Sequence, residues 1–214
     1  MKTSLNPWFY VPFTVALIAG GILFATFEKG QDVLFVNSFH SPFLDYLFYY
    51  GTTLGNGLLY LLFGIALSWK NFRHSLIAIL SFSITGLLVQ FLKKMVFSEV
   101  ARPSVLLAGE PLHFVEGVKI LARYSFPSGH SAIAFSLFCL VSLMVKEKKW
   151  GVVFLLMALI GGISRIYLAQ HFFVDVYFGA ILGVVVTSLI WFWFLKTNTL
   201  QSLSDKSFSI YLRS

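Results

Sequence analysis

Charged residues are scarce in this chain. Only 12% of its 214 residues are Asp, Glu, Lys or Arg, whereas 57% are hydrophobic. A soluble domain usually carries about 25% charged residues, because polar groups must cover its surface. The scarcity of charge therefore excludes an ordinary soluble fold and predicts an integral membrane protein.

Several other features are missing. The single cysteine, Cys139, excludes an intramolecular disulfide. The net charge of +7 comes without a basic run or a nucleic-acid-binding motif, so nucleic acid is not a predicted partner. No cleavage site follows the first apolar segment, which we interpret as a retained helix. No repeat or long linker divides the chain, so we expect one domain over 1–214, with a polar tail over 197–214.

Six apolar segments approach the length of about 20 residues that a helix needs to cross a bilayer. They cover roughly 8–27, 45–68, 73–92, 129–145, 150–168 and 172–195. The second segment is rich in glycine, which predicts close helix contact or a local break there. The predicted fold class is all-α, an integral membrane bundle of six transmembrane helices.

The distribution of Lys and Arg indicates the orientation. With an even number of spans, both termini lie on one side, together with the basic turns near residues 70 and 148. The long loop over 93–127 lies on the opposite side and is also basic. If its cations bind a ligand, the remaining cations place both termini in the cytoplasm. We expect a bacterial inner-membrane protein whose loop faces the periplasm.

Three polar segments meet at that outer face in this topology. They are KKMVFSEVARP (93–103), FPSGHS (126–131) and SRIYLAQHFFVD (164–175). Charged groups at membrane depth are costly unless they are paired or bind something. Their convergence at one face predicts a functional site.

The residue types in these segments fit a phosphoryl group, which carries about two negative charges near neutral pH. Catalysis of phosphoryl transfer depends on fixed cationic donors around the phosphorus. Arginine forks suit phosphate oxygens, a neighbouring lysine adds a third cation, and a helix start offers unsatisfied N–H groups. Of the adjacent Lys93 and Lys94, we predict Lys94 as the ligand. The predicted phosphate-binding residues are Lys94, Arg102, Ser128, Gly129 and Arg165.

Two histidines and an aspartate complete a catalytic set. His171 and Asp175 are four residues apart and share one helix face. A carboxylate that holds one ring nitrogen leaves the other unprotonated, which makes His171 the predicted nucleophile. His130 is then the predicted general acid, which protonates the departing oxygen and later activates water.

These motifs resemble those of the type 2 phosphatidic acid phosphatases, the membrane branch of the superfamily that includes vanadium haloperoxidases. The family pattern is Lys-x6-Arg-Pro, then Pro-Ser-Gly-His, then Ser-Arg-x5-His-x3-Asp. The chain matches it at Arg102-Pro103, Pro127-Ser128-Gly129-His130, Ser164-Arg165, His171 and Asp175. The first element departs in spacing, because seven residues separate Lys94 from Arg102 and eight separate Lys93 from it.

The resemblance implies a six-helix phosphatase that acts through a phosphohistidine and needs neither a metal nor another cofactor. The loop segment LHFVEG, which contains His113 to Gly117, also resembles segments of lipid A phosphatases from Bacteroidota. The expected partners are membrane lipids and a lipid phosphate substrate: lipid A phosphate, undecaprenyl pyrophosphate, phosphatidylglycerol phosphate or phosphatidic acid. Three alternatives stay open, namely a lipid phosphotransferase with the same residues, a non-enzymatic lipid-binding or transport protein, and a zinc hydrolase.

Overall fold

The computed structural model describes residues 5–26 (Phe24 by its backbone only) and 28–196, and the predicted tail over 197–214 lies outside these ranges. Within them the regular structure is helical throughout. The helices are α1 (Pro7–Thr26), α2 (Gln31–Ser38), α3 (Pro42–Gly51), α4 (Gly57–Leu67), α5 (Phe72–Phe91), α6 (Pro103–Leu106), α7 (Gly129–Met144), α8 (Gly151–Tyr167) and α9 (Phe173–Lys196). A 3-10 turn (Thr52–Gly55) follows α3, and a π-helical turn (Leu92–Val96) follows α5.

Polar side chains cap several of these helices. The side chains of Ser41, Asn56, Asn71 and Ser128 each accept a hydrogen bond from a backbone N–H in the first turn of α3, α4, α5 and α7. Such caps satisfy donors that have no partner inside the helix. They therefore explain why the helices begin where they do.

The predicted apolar segments correspond to helices of the structure. Three helices are long and apolar enough to cross a membrane, and a fourth span is counted if α3 and α4 form one bent crossing. The two bend by 50° at Asn56, which confirms the local break predicted from the glycines. α1 and α7 are shorter apolar helices. The count of six spans stays a prediction.

Exposed apolar side chains form stripes on the outside of the bundle. On α1, Val11, Val15, Ile18 and Ile22 are all about 60% exposed and recur at helical spacing. Such a continuous apolar face is unfavourable in water, whereas lipid tails solvate it. The stripe therefore supports contact of this helix with the membrane.

α7 lies at the centre of the bundle and is buried along most of its length, packed against α9, α8 and α5. Glycines allow this close packing. A Cβ on Gly179 would lie 2.5 Å from the backbone oxygen of Ser128, and one on Gly55 would collide with the backbone of His130. Gly179 thus allows the start of α7 to pack against the first turns of α9, and Gly55 allows the 3-10 turn after α3 to approach His130.

The long loop before α7 is tied to the rest of the fold by a polar network. The backbone N–H of His113 donates to Asn37 Oδ1, and Asn37 Nδ2 donates to the carbonyls of His113 and Tyr167. Asp45 accepts from the hydroxyl of Tyr167 at 2.5 Å and lies 2.9 Å from His113 Nε2. The network joins the loop to α2, α3 and the end of α8, close to the turn that carries His171.

Candidate active site

His171 lies in the short turn between α8 and α9, and Asp175 lies in the first turn of α9. His171 Nδ1 is 3.2 Å from Asp175 Oδ2. The same oxygen accepts from the Ser125 hydroxyl at 2.5 Å and from the backbone N–H of Phe172 at 3.0 Å. A carboxylate held in this way favours a proton on Nδ1 and leaves the lone pair on Nε2. The ring therefore presents Nε2 as a nucleophile.

Arg102 faces that nitrogen. Its Nη1 atom is 3.4 Å from His171 Nε2. The guanidinium is held by carbonyl oxygens: Nη1 donates to Gln170 at 2.9 Å, and Nε donates to Arg123 at 2.9 Å. Because these hydrogen-bond acceptors are neutral carbonyl oxygens, they do not neutralise Arg102, and its positive charge remains available to an anion.

Arg165 is buried near the end of α8. Its Nη1 atom donates to the hydroxyl of Thr52 at 2.6 Å, whereas its buried Nε has no hydrogen-bond partner. A buried guanidinium N–H without an acceptor is costly. A phosphate oxygen would be a suitable acceptor for this N–H of Arg165.

The structure places Lys93, and not Lys94, beside the arginines. The Lys93 side chain is only 8% exposed, its Nζ donates to the Tyr124 carbonyl at 3.0 Å, and its charge interacts with Asp175. Lys94 is exposed. Both lie in the π-helical turn, which accommodates an inserted residue and points Lys93 inward. The structure therefore places Lys93 in the site instead of the predicted Lys94, while phosphate binding by either lysine stays a prediction.

The start of α7 contributes Ser128, Gly129 and His130. Ser128 N–H donates to the Asp175 carbonyl at 2.9 Å, and Ser128 Oγ accepts from the Ser131 hydroxyl at 2.8 Å. The Ser128 side chain is thus the helix cap, and its own hydroxyl proton is left to donate. The His130 ring is partly buried and interacts electrostatically with the nearby cations. These groups form one wall of the site.

The site has an excess of positive charge. Lys93, Arg102 and Arg165 give three cations against the single carboxylate of Asp175, which leaves a formal charge of two positive. Within residues 5–26 and 28–196, none of the three cations forms an ion pair with an acidic side chain. Burying such charge without a counterion is unfavourable, so the arrangement is suited to an anion.

Burial lowers the pKa of His171 well below its ordinary value, and the charges of Lys93 and Arg102 lower it further. Burial also lowers the pKa of Arg102, while Asp175 opposes that shift. The imidazole of His171 is consequently neutral near pH 7, as a nucleophile must be.

Sequence reasoning missed three of the supporting residues. Ser125 binds Asp175, Thr52 binds Arg165, and Gln170 binds Arg102 through its carbonyl. Ser125 and Gln170 lie within or beside the recognised motifs, which is a weak signal. Thr52 has none, because its role depends on the break between α3 and α4.

The side chains of the site are a poor donor set for a metal. In the part of the chain that the structure describes, no group of three or more His, Cys, Asp or Glu side chains could hold a metal ion. His171 and Asp175 instead face cations. The residues of this site fit an anionic ligand better than a cationic one.

The family model described as the PAP2 superfamily matches residues 74–199 of the chain, which include every residue of the site except Thr52. The chain belongs to the PAP2 superfamily. Phosphatases belong to this superfamily, which agrees with the predicted phosphatase class. Among solved structures, that of LpxE from Aquifex aeolicus is similar, with 28% identity and a TM-score of 0.67. The similarity covers 77% of this chain and 96% of the LpxE chain.

A curated relative shares a shorter region with this PAP2 protein. The bacitracin transport permease protein BcrC of Bacillus licheniformis is 42% identical over 69 residues, which is 32% of each chain. The chain thus matches about a third of the length of that relative. The two similarities agree with membership of the PAP2 superfamily, while the roles of the individual site residues stay predictions.

Proposed function

We propose that this PAP2 protein is a membrane lipid phosphatase that hydrolyses a lipid phosphomonoester or pyrophosphate through a phosphohistidine at His171. The observation that carries the proposal is the net formal charge of about +2 that is buried around Nε2 of the neutral His171. A phosphate group near neutral pH carries a charge of about −2, which complements this charge. Positioning and electrostatic stabilisation are the main requirements of phosphoryl transfer.

In the first step, His171 Nε2 attacks phosphorus. The N–P bond forms while the bond from phosphorus to the lipid oxygen breaks, and its electron pair goes to that oxygen. His130 protonates the departing oxygen as a general acid. Lys93, Arg102 and Arg165 stabilise the charge on the equatorial oxygens.

In the second step, water hydrolyses the phosphohistidine. His130 now accepts a proton from the water, whose oxygen bonds to phosphorus while the N–P bond breaks. Inorganic phosphate leaves and Nε2 regains its lone pair. Asp175 stabilises the imidazolium character of His171 in both steps, and Ser125 holds Asp175 in place. Ser128 and the Gly129 amide bind phosphate oxygens at the start of α7.

The substrate and the location are further parts of the proposal. We rank lipid A phosphate and undecaprenyl pyrophosphate above phosphatidylglycerol phosphate and phosphatidic acid. This ranking rests on the expected periplasmic side of the loop and on the segment LHFVEG. The reaction requires no metal, and it takes place at the periplasmic face of the inner membrane.

Two alternatives have specific support. A phosphotransferase would pass the phosphoryl group from His171 to an alcohol instead of water with the same residues. The name of the relative BcrC refers to bacitracin transport, which would favour a non-enzymatic transport role. Buried cations around an oriented nucleophile are not needed for transport, and this favours the phosphatase.

The test is phosphate release by the purified full chain in detergent micelles from a panel of lipid phosphates. We expect release that His171→Ala abolishes and that EDTA leaves unchanged. Equal phosphate release by His171→Ala and by the unsubstituted chain would show that the release is background and does not come from this site. Loss of activity in EDTA, restored by zinc, would favour a zinc hydrolase, and transfer to a labelled alcohol would favour the phosphotransferase.

A further inference from the structure

A cationic cavity of about 420 Å³ opens beside the proposed site. Four basic side chains line it, namely Lys93, Lys94, Arg102 and Arg123, together with the amide of Gln90 and no carboxylate. A water molecule occupies about 30 Å³ of liquid. The cavity therefore has room for more than one phosphate group.

The cavity borders the proposed site, because Lys93 and Arg102 line the cavity and also belong to the site. Arg102 contacts His171 Nε2 through Nη1, while its Nε donates to the carbonyl of Arg123. Lys93 donates to the carbonyl of Tyr124, which also lines the cavity. Lys94 is the next residue after Lys93, and Arg123 directly precedes Tyr124. They add two exposed cations to the cavity lining.

Lys94 and Arg123 are the two basic residues of the cavity that do not belong to the proposed site around His171. Both are exposed, so water screens their charges in the free protein, and their place in the cavity lining makes them available to a second anion. In residues 5–26 and 28–196 neither forms an ion pair with a carboxylate. The geometry points to a second anion subsite, in which Lys94 and Arg123 bind a second phosphate joined directly to the first. This inference rests on the proposed function and makes a lipid diphosphate the preferred substrate.

The chemistry of a diphosphate fits this placement. His171 Nε2 attacks the terminal phosphorus, and the bond from that phosphorus to the bridging oxygen breaks. The electron pair stays on the bridging oxygen, so that a lipid monophosphate leaves, and water then cleaves the N–P bond. The leaving phosphate is a far weaker base than an alkoxide, with a second pKa of about 6. It therefore needs less proton donation from His130, provided that Lys94 and Arg123 neutralise it.

The experiment compares a lipid monophosphate and a lipid diphosphate with the same hydrocarbon chain. In purified full-length protein, Lys94→Ala and Arg123→Ala should each lower the ratio of kcat/KM for diphosphate over monophosphate about five- to tenfold, the loss expected of one typical hydrogen bond. The effect should fall mainly on KM. Lys149→Ala is the matched control, since Lys149 is an exposed lysine in the turn between α7 and α8, and it should leave the ratio unchanged.

A second arm separates the head group from the lipid. Inorganic pyrophosphate should inhibit the unsubstituted protein more strongly than inorganic phosphate does, and this difference should shrink in both variants. An unchanged substrate ratio in both variants would overturn the subsite, with Lys94 and Arg123 then being solvated surface cations. If the unsubstituted protein releases no phosphate from either lipid, the proposed function fails as well, which distinguishes the two failures.

Discussion

At the scale of single residues, the proposed catalysis depends on one neutral imidazole among cations. Asp175 and Ser125 fix the ring of His171 from one side, and Arg102 approaches its free nitrogen from the other. Because the ring is buried, its protonated form is disfavoured. The cations that we propose as phosphate ligands therefore also favour the unprotonated form of the proposed nucleophile.

The first prediction concerns pH. The pKa of His171 is lowered, so the ring stays neutral as the pH falls through its ordinary value of about 6.5. The acid limb of kcat/KM, which reports the free enzyme, should lie below that value. Arg102→Gln removes a charge that lowers the pKa, and the limb should move to higher pH. The substrate phosphate ionises in the same way with both proteins, so its own pKa does not affect the difference between the two acid limbs. An acid limb that stays in place or moves to lower pH would contradict the electrostatic role of Arg102.

Much of the residue set could be predicted from spacing alone. The four-residue separation of His171 and Asp175 predicts contact across one helix face. The structure has the two side chains in contact, but His171 lies in the turn before α9 and not on the helix itself. The choice between Lys93 and Lys94 could not be predicted, because a π-helical turn alters the direction in which neighbouring side chains point. Thr52 could not be found either, since tertiary packing alone brings it to Arg165.

At the scale of helices, close packing of α7 on α9 positions the site. The backbone N–H of Ser128 donates to the carbonyl of Asp175, so the starts of the two helices are joined directly. Gly179 leaves the space for this approach, and Gly183 does the same one turn further along. A side chain at either position must separate the helices, because the atoms it would meet belong to the backbone.

The second prediction tests this packing. In Gly179→Ala the added Cβ would lie 2.5 Å from the Ser128 oxygen, so α7 must shift away from Asp175. We expect phosphatase activity to fall at least tenfold and the melting temperature in detergent to drop by several degrees, as overpacking costs about 1–3 kcal/mol. Gly86→Ala is the matched control, since a Cβ there meets nothing within 4 Å and alanine favours helix. Equal stability and activity in both variants would show that the close approach is not required.

The order of elements could largely be predicted from composition. Each predicted apolar segment corresponds to one helix or to the bent pair α3 and α4, because burial in lipid demands long apolar helices. The short helices α2 and α6 were not predicted, since they lie in polar connections without a strong period. Their positions depend on contacts such as that of Asn37 with the loop at His113.

At the scale of the whole molecule, the proposed function requires that the three motifs lie at the same end of the helical bundle. All three motifs lie at the end of the bundle that carries the long loop before α7, while the turn between α7 and α8 lies at the other end of α7. The basic residues of that turn fit the cytoplasmic side. We therefore expect the long loop with its cations on the periplasmic side.

The third prediction tests this orientation. Glu116→Cys places a thiol in the long loop, and Lys149→Cys places one in the turn between α7 and α8, while the native Cys139 is buried. A membrane-impermeant thiol reagent applied to intact bacterial cells with a permeable outer membrane should label the first variant. It should label the second only after lysis. Labelling of both from one side would refute the topology.

The most direct test of the central claim is the stereochemical course at phosphorus. Transfer to His171 and then to water comprises two in-line displacements, and each inverts the configuration. A substrate made chiral at phosphorus with oxygen isotopes and sulfur should therefore give thiophosphate with net retention. Net inversion would mean that water attacks the substrate directly, and it would contradict a nucleophilic His171.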